Sequence, residues 1–247
     1  MTIVSIPCLR HFLPGDLFKA KVNRMSNPDS GLRVLVVLHG DIDCAFLASE
    51  FLRADQIVVA DGAARVVLEA GGLCDVIVGD CDSLDERGLS ESRAANPEVD
   101  VRVFPAAKDV TDGELALRAA LDMRPDSIVV VGAFGGCRLD HELANIFLLA
   151  NADWCDQDIV LTDPRREISL VTKNKDQVLI SGGAGDVVTL LPVDGPAIGV
   201  CSTGLRYGLE GRDLDVGTSL GVSNELLGDL AMVSVEAGRL LVIHERR

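Results

Sequence analysis

The chain of 247 residues carries 38 Asp plus Glu against 23 Lys plus Arg, a formal charge of −15, which argues against a broad basic surface that grips a nucleic-acid backbone. Hydrophobic residues make up 48% and aromatic ones only 4%, the balance of an α/β protein whose strands are buried on both faces. No apolar run is long enough to span a membrane, and the seven cysteines are odd in number with no C-x-x-C pair, so a soluble cytoplasmic protein with reduced thiols is expected.

Residues 1–30 mix charges, contain a Pro-Gly and an Asn-Pro break, and lack the apolar core of a signal peptide; they are expected to form an extension. From Leu32 the pattern alternates. Strands are predicted over 33–38, 56–60, 75–78, 101–104 and 127–131, and helices over 44–52, 63–70, 85–95, 111–123 and 139–150. Thr111 and Glu114 stand at capping-box spacing before the fourth helix. This order implies an open parallel sheet with right-handed crossovers and helices on both faces.

After about Asn151 the pattern becomes short β-rich runs broken by Gly, Pro and Asp, at 159–161, 168–171, 178–180, 187–191 and 231–243. A second, mostly antiparallel unit is expected, with "SGGAGD" (Ser181 to Asp186) as a hairpin turn. The expected division is 1–30 extension, 31–155 α/β domain and 156–247 β-sandwich domain.

Ligands of an open parallel sheet bind beyond the carboxyl ends of its strands. Four clusters fall there: Asp61 after the second strand, Asp80 and Asp82 after the third, Lys108, Asp109 and Asp112 after the fourth, and Gly135, Gly136, Arg138 and Asp140 after the fifth. Asp80 and Asp82 are two apart, so in extended backbone both address one side, which suits Mg²⁺ shared with substrate phosphates. The alternative is a turn in which Asp80, Asp82 and Ser83 cap the next helix. Asp112 taken singly reads as a helix N-terminal residue, where a carboxylate meets the positive end of the dipole. "GAFGGCRLDH" (Gly132 to His141) is a Gly-rich loop entering a helix, able to bring backbone N–H groups and Arg138 to an anion. His141 reads as a helix-surface or packing residue and the cysteines as small apolar fillers. Calcium-loop, zinc-protease and phosphate-loop motifs are absent.

Taken in order, "ADGAA" (Ala60 to Ala64), "GDCDS" (Gly79 to Ser83), "KDVTDGELAL" (Lys108 to Leu117), "GGCRLDHELAN" (Gly135 to Asn145) and "GVSNEL" (Gly221 to Leu226) resemble the thiamine pyrophosphokinase family. The resemblance implies an α/β catalytic domain, a β-sandwich domain that helps bind thiamine, and a homodimer with active sites between subunits. It implies that Asp61, Asp80, Asp82 and Asp112 surround Mg²⁺ and the triphosphate of ATP, and act in catalysis. By the same resemblance Lys108, Asp109, Arg138 and Asp140 contact the nucleotide, and Ser223 and Asn224 meet the thiamine pyrimidine. Two departures stand out: Ala63 where the family commonly has Gly, and Cys137 inside the Gly-Gly-Arg loop. No aromatic adjoins Ser223 and Asn224 in sequence to stack on the pyrimidine. Rival readings are a pterin-alcohol pyrophosphokinase, a metal-dependent nucleotide phosphohydrolase and a non-enzymatic nucleotide or thiamine sensor.

Overall fold

The computed structural model describes residues 31–80, 86–105 and 109–247. Its first half is built on β1 (Arg33–Val37), β2 (Gln56–Ala60), β3 (Val76–Gly79), β4 (Asp100–Val103), β5 (Ser127–Val131) and β6 (Ile159–Thr162). These strands are parallel and lie in the order β4-β3-β2-β1-β5-β6. Between them run α1 (Cys44–Phe51), α2 (Ala64–Glu69), α3 (Glu86–Ala95), α4 (Asp112–Leu121) and α5 (Leu139–Leu148).

Successive side chains of a strand point to opposite faces, and the two apolar clusters follow that rule. Val34, Val36, Val58, Val76, Val78, Ile128 and Val130 pack with α4 and α5 on one face. Leu35, Val37, Ile57, Val59, Ile77, Val129 and Val131 pack with Leu47 and Phe51 of α1 and with Ala64 and Val67 of α2 on the other. Two helix starts carry side-chain caps: Asp43 accepts from the Phe46 amide at 2.8 Å, and Thr111 Oγ1, as its spacing implies, from the Glu114 amide at 3.2 Å. The Glu114 carboxylate turns instead to Arg118, at 2.8 Å.

The remaining strands are β7 (Arg166–Thr172), β8 (Val178–Ser181), β9 (Val187–Thr203), β10 (Arg212–Leu214), β11 (Asn224–Glu225), β12 (Leu230–Ser234) and β13 (Ala237–Glu245). They pair antiparallel, and residues of β7, β9 and β13 share one apolar cluster with residues of β8, β10 and β12, which makes a β-sandwich. The expected fold class, a parallel α/β sheet followed by an antiparallel sandwich, is the one found. The sheet is continuous across both halves, because β6 pairs with β5 in parallel and with β7 antiparallel.

Four local expectations are corrected. Residues 159–161 belong to the parallel sheet rather than the antiparallel unit, since composition does not reveal strand direction. Ser181 to Asp186 is not a hairpin: β8 pairs with β12, and β9 starts on β13, so the segment crosses between sheets. The strand expected at 187–191 continues to Thr203. Asp194, Gly195 and Gly199 take positive φ of 61, 117 and 62°, and let β9 bend from β13 to β12 instead of ending. The run 231–243 is two strands, β12 and β13, which belong to different pairings.

Candidate active site

The chain begins the sheet at β1, builds outward to β4, and then returns to place β5 on the other side of β1. The loops leaving β1 and β5 therefore diverge at the carboxyl edge, the switch point where open α/β sheets bind ligands. Before diverging they run side by side. The Leu38 amide donates to Val131 O, the Gly40 amide to Gly132 O and the Asp41 amide to Phe134 O, each at 2.8 Å. A Cβ at Gly40 would strike the carbonyls of Gly132 and Phe134, so only glycine fits this approach.

Above this point opens a cleft of about 620 Å³. Asp61, Asp80, Asp112 and Arg138 all line it, from the ends of β2 and β3, the first turn of α4 and the residue that precedes α5. Sequence reasoning thus names one side chain from each of four separate loops that the fold brings to one cavity. Asp61 is 4% exposed, and its Oδ1 accepts from the Gly62 amide at 2.6 Å. Asp112 sits at the first helical position of α4 and Asp80 directly after Gly79.

Other expected contacts fall elsewhere. Arg138 forks onto Asp140 through Nε at 2.8 Å and Nη2 at 2.6 Å; both side chains are exposed, and Asp140 does not line the cleft. The Arg138 guanidinium holds the Asp140 carboxyl well below the usual carboxylate range. Asp109 is exposed and outside the lining. Asp82 and Lys108, like residues 1–30, lie outside the described residues. Among the described residues no group of three or more His, Cys, Asp and Glu converges as a ready-made metal cage. A cleft edged by spaced carboxylates suits instead a hard cation that keeps waters and shares phosphate oxygens, the habit of Mg²⁺.

Ser223 and Asn224 do not line this cleft. Ser223 takes a positive φ of 61° and donates its amide to Thr189 Oγ1 at 3.1 Å. Asn224 is buried: its Oδ1 accepts from the amides of Tyr207 at 3.0 Å and Glu225 at 2.9 Å, and its Nδ2 donates to Tyr207 O at 2.8 Å. Asn224 therefore fixes the backbone of Tyr207, a residue that is 66% exposed. This is an aromatic that sequence distance concealed, since 17 positions separate the pair.

The strand register places that pair on the same edge as the cleft. Thr162 of β6 faces Glu167 of β7, Glu167 faces His244 of β13, His244 faces Val188 of β9, and Val188 faces Asn224. Five strand spacings separate β5 from β11, roughly 24 Å along the sheet.

His39, Asp41, Glu142 and Asn145, to which the sequence motifs above assign no role, also line the cleft, as does His141, whose sequence context reads as that of a helix-surface or packing residue. His141, Glu142 and Asn145 occupy the helix after the Gly-rich loop, and the i, i+4 spacing of 141 and 145 was their available signal. Ala63, the first departure, is fully buried in the core beside Val59 and Ala64, so its methyl turns away from the cleft. Cys137, the second, is exposed and lines it.

Comparison with known proteins bears on the two halves separately. Residues 47–162 match the family "Thiamin pyrophosphokinase, catalytic domain", and residues 170–240 match "Thiamin pyrophosphokinase, vitamin B1 binding domain". The chain belongs to the thiamine pyrophosphokinase family. It is 30% identical over 190 residues to the thiamine pyrophosphokinase of Bacillus subtilis, covering 74% of this chain and 84% of that protein. The crystal structure of thiamine pyrophosphokinase from Bacillus subtilis superposes with a TM-score of 0.75 at 27% identity, covering 87% of this chain and 99% of the other. The family member from Geobacillus thermodenitrificans gives a TM-score of 0.72 at 27% identity, over 87% and 97% of the two chains. Among the described residues no helix is long and apolar enough to cross a membrane.

Proposed function

We propose that this cleft carries out pyrophosphoryl transfer from ATP to thiamine. The observation that carries the reading is the meeting of Asp61, Asp80 and Asp112 with the Gly132 to Arg138 loop at the switch point, in a chain of this family. The hydroxyl oxygen of thiamine bonds to the β-phosphorus of ATP, the bond from that phosphorus to the α,β-bridging oxygen breaks, and AMP leaves. Asp61, Asp80 and Asp112, with Asp82, would hold Mg²⁺ together with phosphate oxygens, and the ion supplies charge neutralisation there. Arg138 and Lys108 bind phosphate oxygens, Arg138 exchanging its Asp140 partner for the ligand; Asp109 and Asp140 border the nucleotide. Either Asp61 or Asp112 accepts the hydroxyl proton. The positive thiazolium ring is favoured beside these carboxylates, which reconciles an acidic protein with an anionic co-substrate.

Thiamine binding is assigned to Ser223, Asn224 and, as the aromatic platform, Tyr207. Because that edge lies roughly 24 Å along the sheet from β5, one protomer does not close both halves of the site around one thiamine, and a homodimer does. Exposed apolar surface supports a second copy: Leu139, Leu143 and Phe147 form one stripe on α5, and Tyr207, Leu220 and Leu227 project from the sandwich loops. The free thiols of Cys44, Cys74, Cys137, Cys155 and Cys201 suit the reducing cytoplasm. The domain division proposed is 31–155 and 156–247, with β6 of the second segment added to the parallel sheet of the first.

Incubation of the protein with ATP, Mg²⁺ and thiamine, followed by product identification, tests the reading. AMP and thiamine diphosphate in equal amounts are expected. Phosphate release without thiamine, or binding without turnover, would overturn it.

A further inference from the structure

Arg166 opens β7 in the segment 163–169, which neither family match covers. Its guanidinium meets the Asp163 carboxylate through Nη2 at 2.8 Å and Nε at 2.9 Å, and lies 4.7 Å from the ring centroid of Phe134. It also reaches Glu142 Oε1 at 3.7 Å. Glu142, in the first turn of α5, offers its other oxygen to the Gly135 amide at 3.2 Å. Gly135 itself takes a positive φ of 77°, with no room for a Cβ because the Asp41 carboxylate lies against it. Asn145 Nδ2 donates to Ala133 O at 3.1 Å. The Gly-rich loop is thus held at three consecutive residues, and two of the three holds lead to Arg166.

The charges make this more than packing. Glu142 lines the cleft, and a carboxylate beside a phosphate-binding loop repels an anionic ligand unless a cation draws it aside. Arg166 is such a cation, and its planar fork serves Asp163, Glu142 and the face of Phe134 together, which the point charge of a lysine does not.

We propose that Arg166 is a positioning residue for nucleotide binding: by holding Phe134 and drawing the Glu142 carboxylate aside, it sets the Gly132 to Arg138 loop for the phosphates of a nucleoside triphosphate. The inference rests on the reading of that loop as the nucleotide loop. It gives the first strand of the second half a part in the affinity of the first half for ATP.

Arg166→Met keeps the length of the stem and removes the charge and the fork. KM for ATP is expected to rise about tenfold while kcat at saturating ATP and KM for thiamine stay within about twofold. Adding Glu142→Gln to this variant keeps an acceptor for the Gly135 amide and removes the repelling charge, so KM for ATP should return to within about threefold of the parent. A purely structural role for Arg166 would not yield that rescue. An unchanged KM in Arg166→Met, or no recovery in the double variant, overturns the inference. If Arg166→Met does not fold, Arg166→Gln, which also removes the charge and the fork, takes its place in the same pair of measurements with the same criteria. Failure of the unaltered protein to bind Mg·ATP would instead remove the nucleotide-loop reading, and this inference with it.

Discussion

Gly79 lies flat against the carboxylate of Asp61: a Cβ built at Gly79 would collide with Cγ of that side chain. The last residue of β3 thereby sets where the acid at the end of β2 points, and Asp80 follows it at once. Gly79→Ala should displace the Asp61 carboxylate while leaving the strand paired. Turnover is expected to fall by about 10²-fold, the scale of losing one electrostatic group of an active site, with an unchanged circular dichroism spectrum. Wild-type turnover would show that Asp61 tolerates displacement.

Asp80→Asn keeps the shape and removes one negative charge from the cleft. The Mg²⁺ concentration for half-maximal activity should rise at least about tenfold, and excess Mg²⁺ should recover part of the rate. A titration of rate against Mg²⁺ that superposes on the parent would remove Asp80 from the metal site.

Tyr207 lies outside the cleft of its own chain, so its loss should act on thiamine alone. Tyr207→Ala should raise KM for thiamine about tenfold, consistent with roughly 1–3 kcal/mol for stacking of a heterocycle on an aromatic ring. Tyr207→Trp should keep it near the parent, and KM for ATP should not move in either. Steady-state kinetics with each substrate varied separately reads this out.

Asp186 accepts hydrogen bonds from the Gly183 amide at 2.9 Å, the Arg247 amide at 3.1 Å and buried His244 Nε2 at 2.9 Å. Led by the Gly183 amide, these partners lower its carboxyl to about 2. Because this lies below the usual carboxylate value near 4, the stabilisation is complete above about pH 4 and is lost as pH falls toward 2. Denaturant melts at pH 5, 4 and 3 should show stability dropping on acidification, with a shallower drop in Asp186→Asn. Equal slopes would place the acid sensitivity elsewhere.

Burial pushes the Cys74 thiol up to about 12, whereas Cys137 is exposed on the cleft. In the folded protein Cys74 should resist alkylation at pH 8 and Cys137 should react. Mg·ATP should slow the second reaction, which peptide mapping of the labelled sites measures. Labelling of Cys137 unaffected by nucleotide would place the triphosphate away from that loop.

Much of the first half was legible in the sequence because each parallel strand buried on both faces is a continuous apolar run, as in "RVLVV" and "SIVVV", and because the start of α4 carries its own cap in Thr111. The sandwich was less legible. Its pairings join residues far apart in the chain, and the Asp194-Gly195-Pro196 break that reads as a strand end is instead the bend within β9.

At the site, position after a strand singled out Asp61, Asp80, Asp112 and Arg138, which line the cleft, and equally Asp109 and Asp140, which do not, since a carboxyl-edge loop is a local property of the chain. Their meeting in one cleft depended on the order β4-β3-β2-β1-β5-β6, which no local pattern encodes. The same holds for Tyr207 beside Asn224 and for Arg166 beside Phe134 and Glu142. Local sequence specifies which backbone each segment favours and which charges stand at its ends. Partnership between segments arises from burial, where the apolar faces of distant strands must be covered together, and their polar neighbours are carried to whatever place that packing assigns.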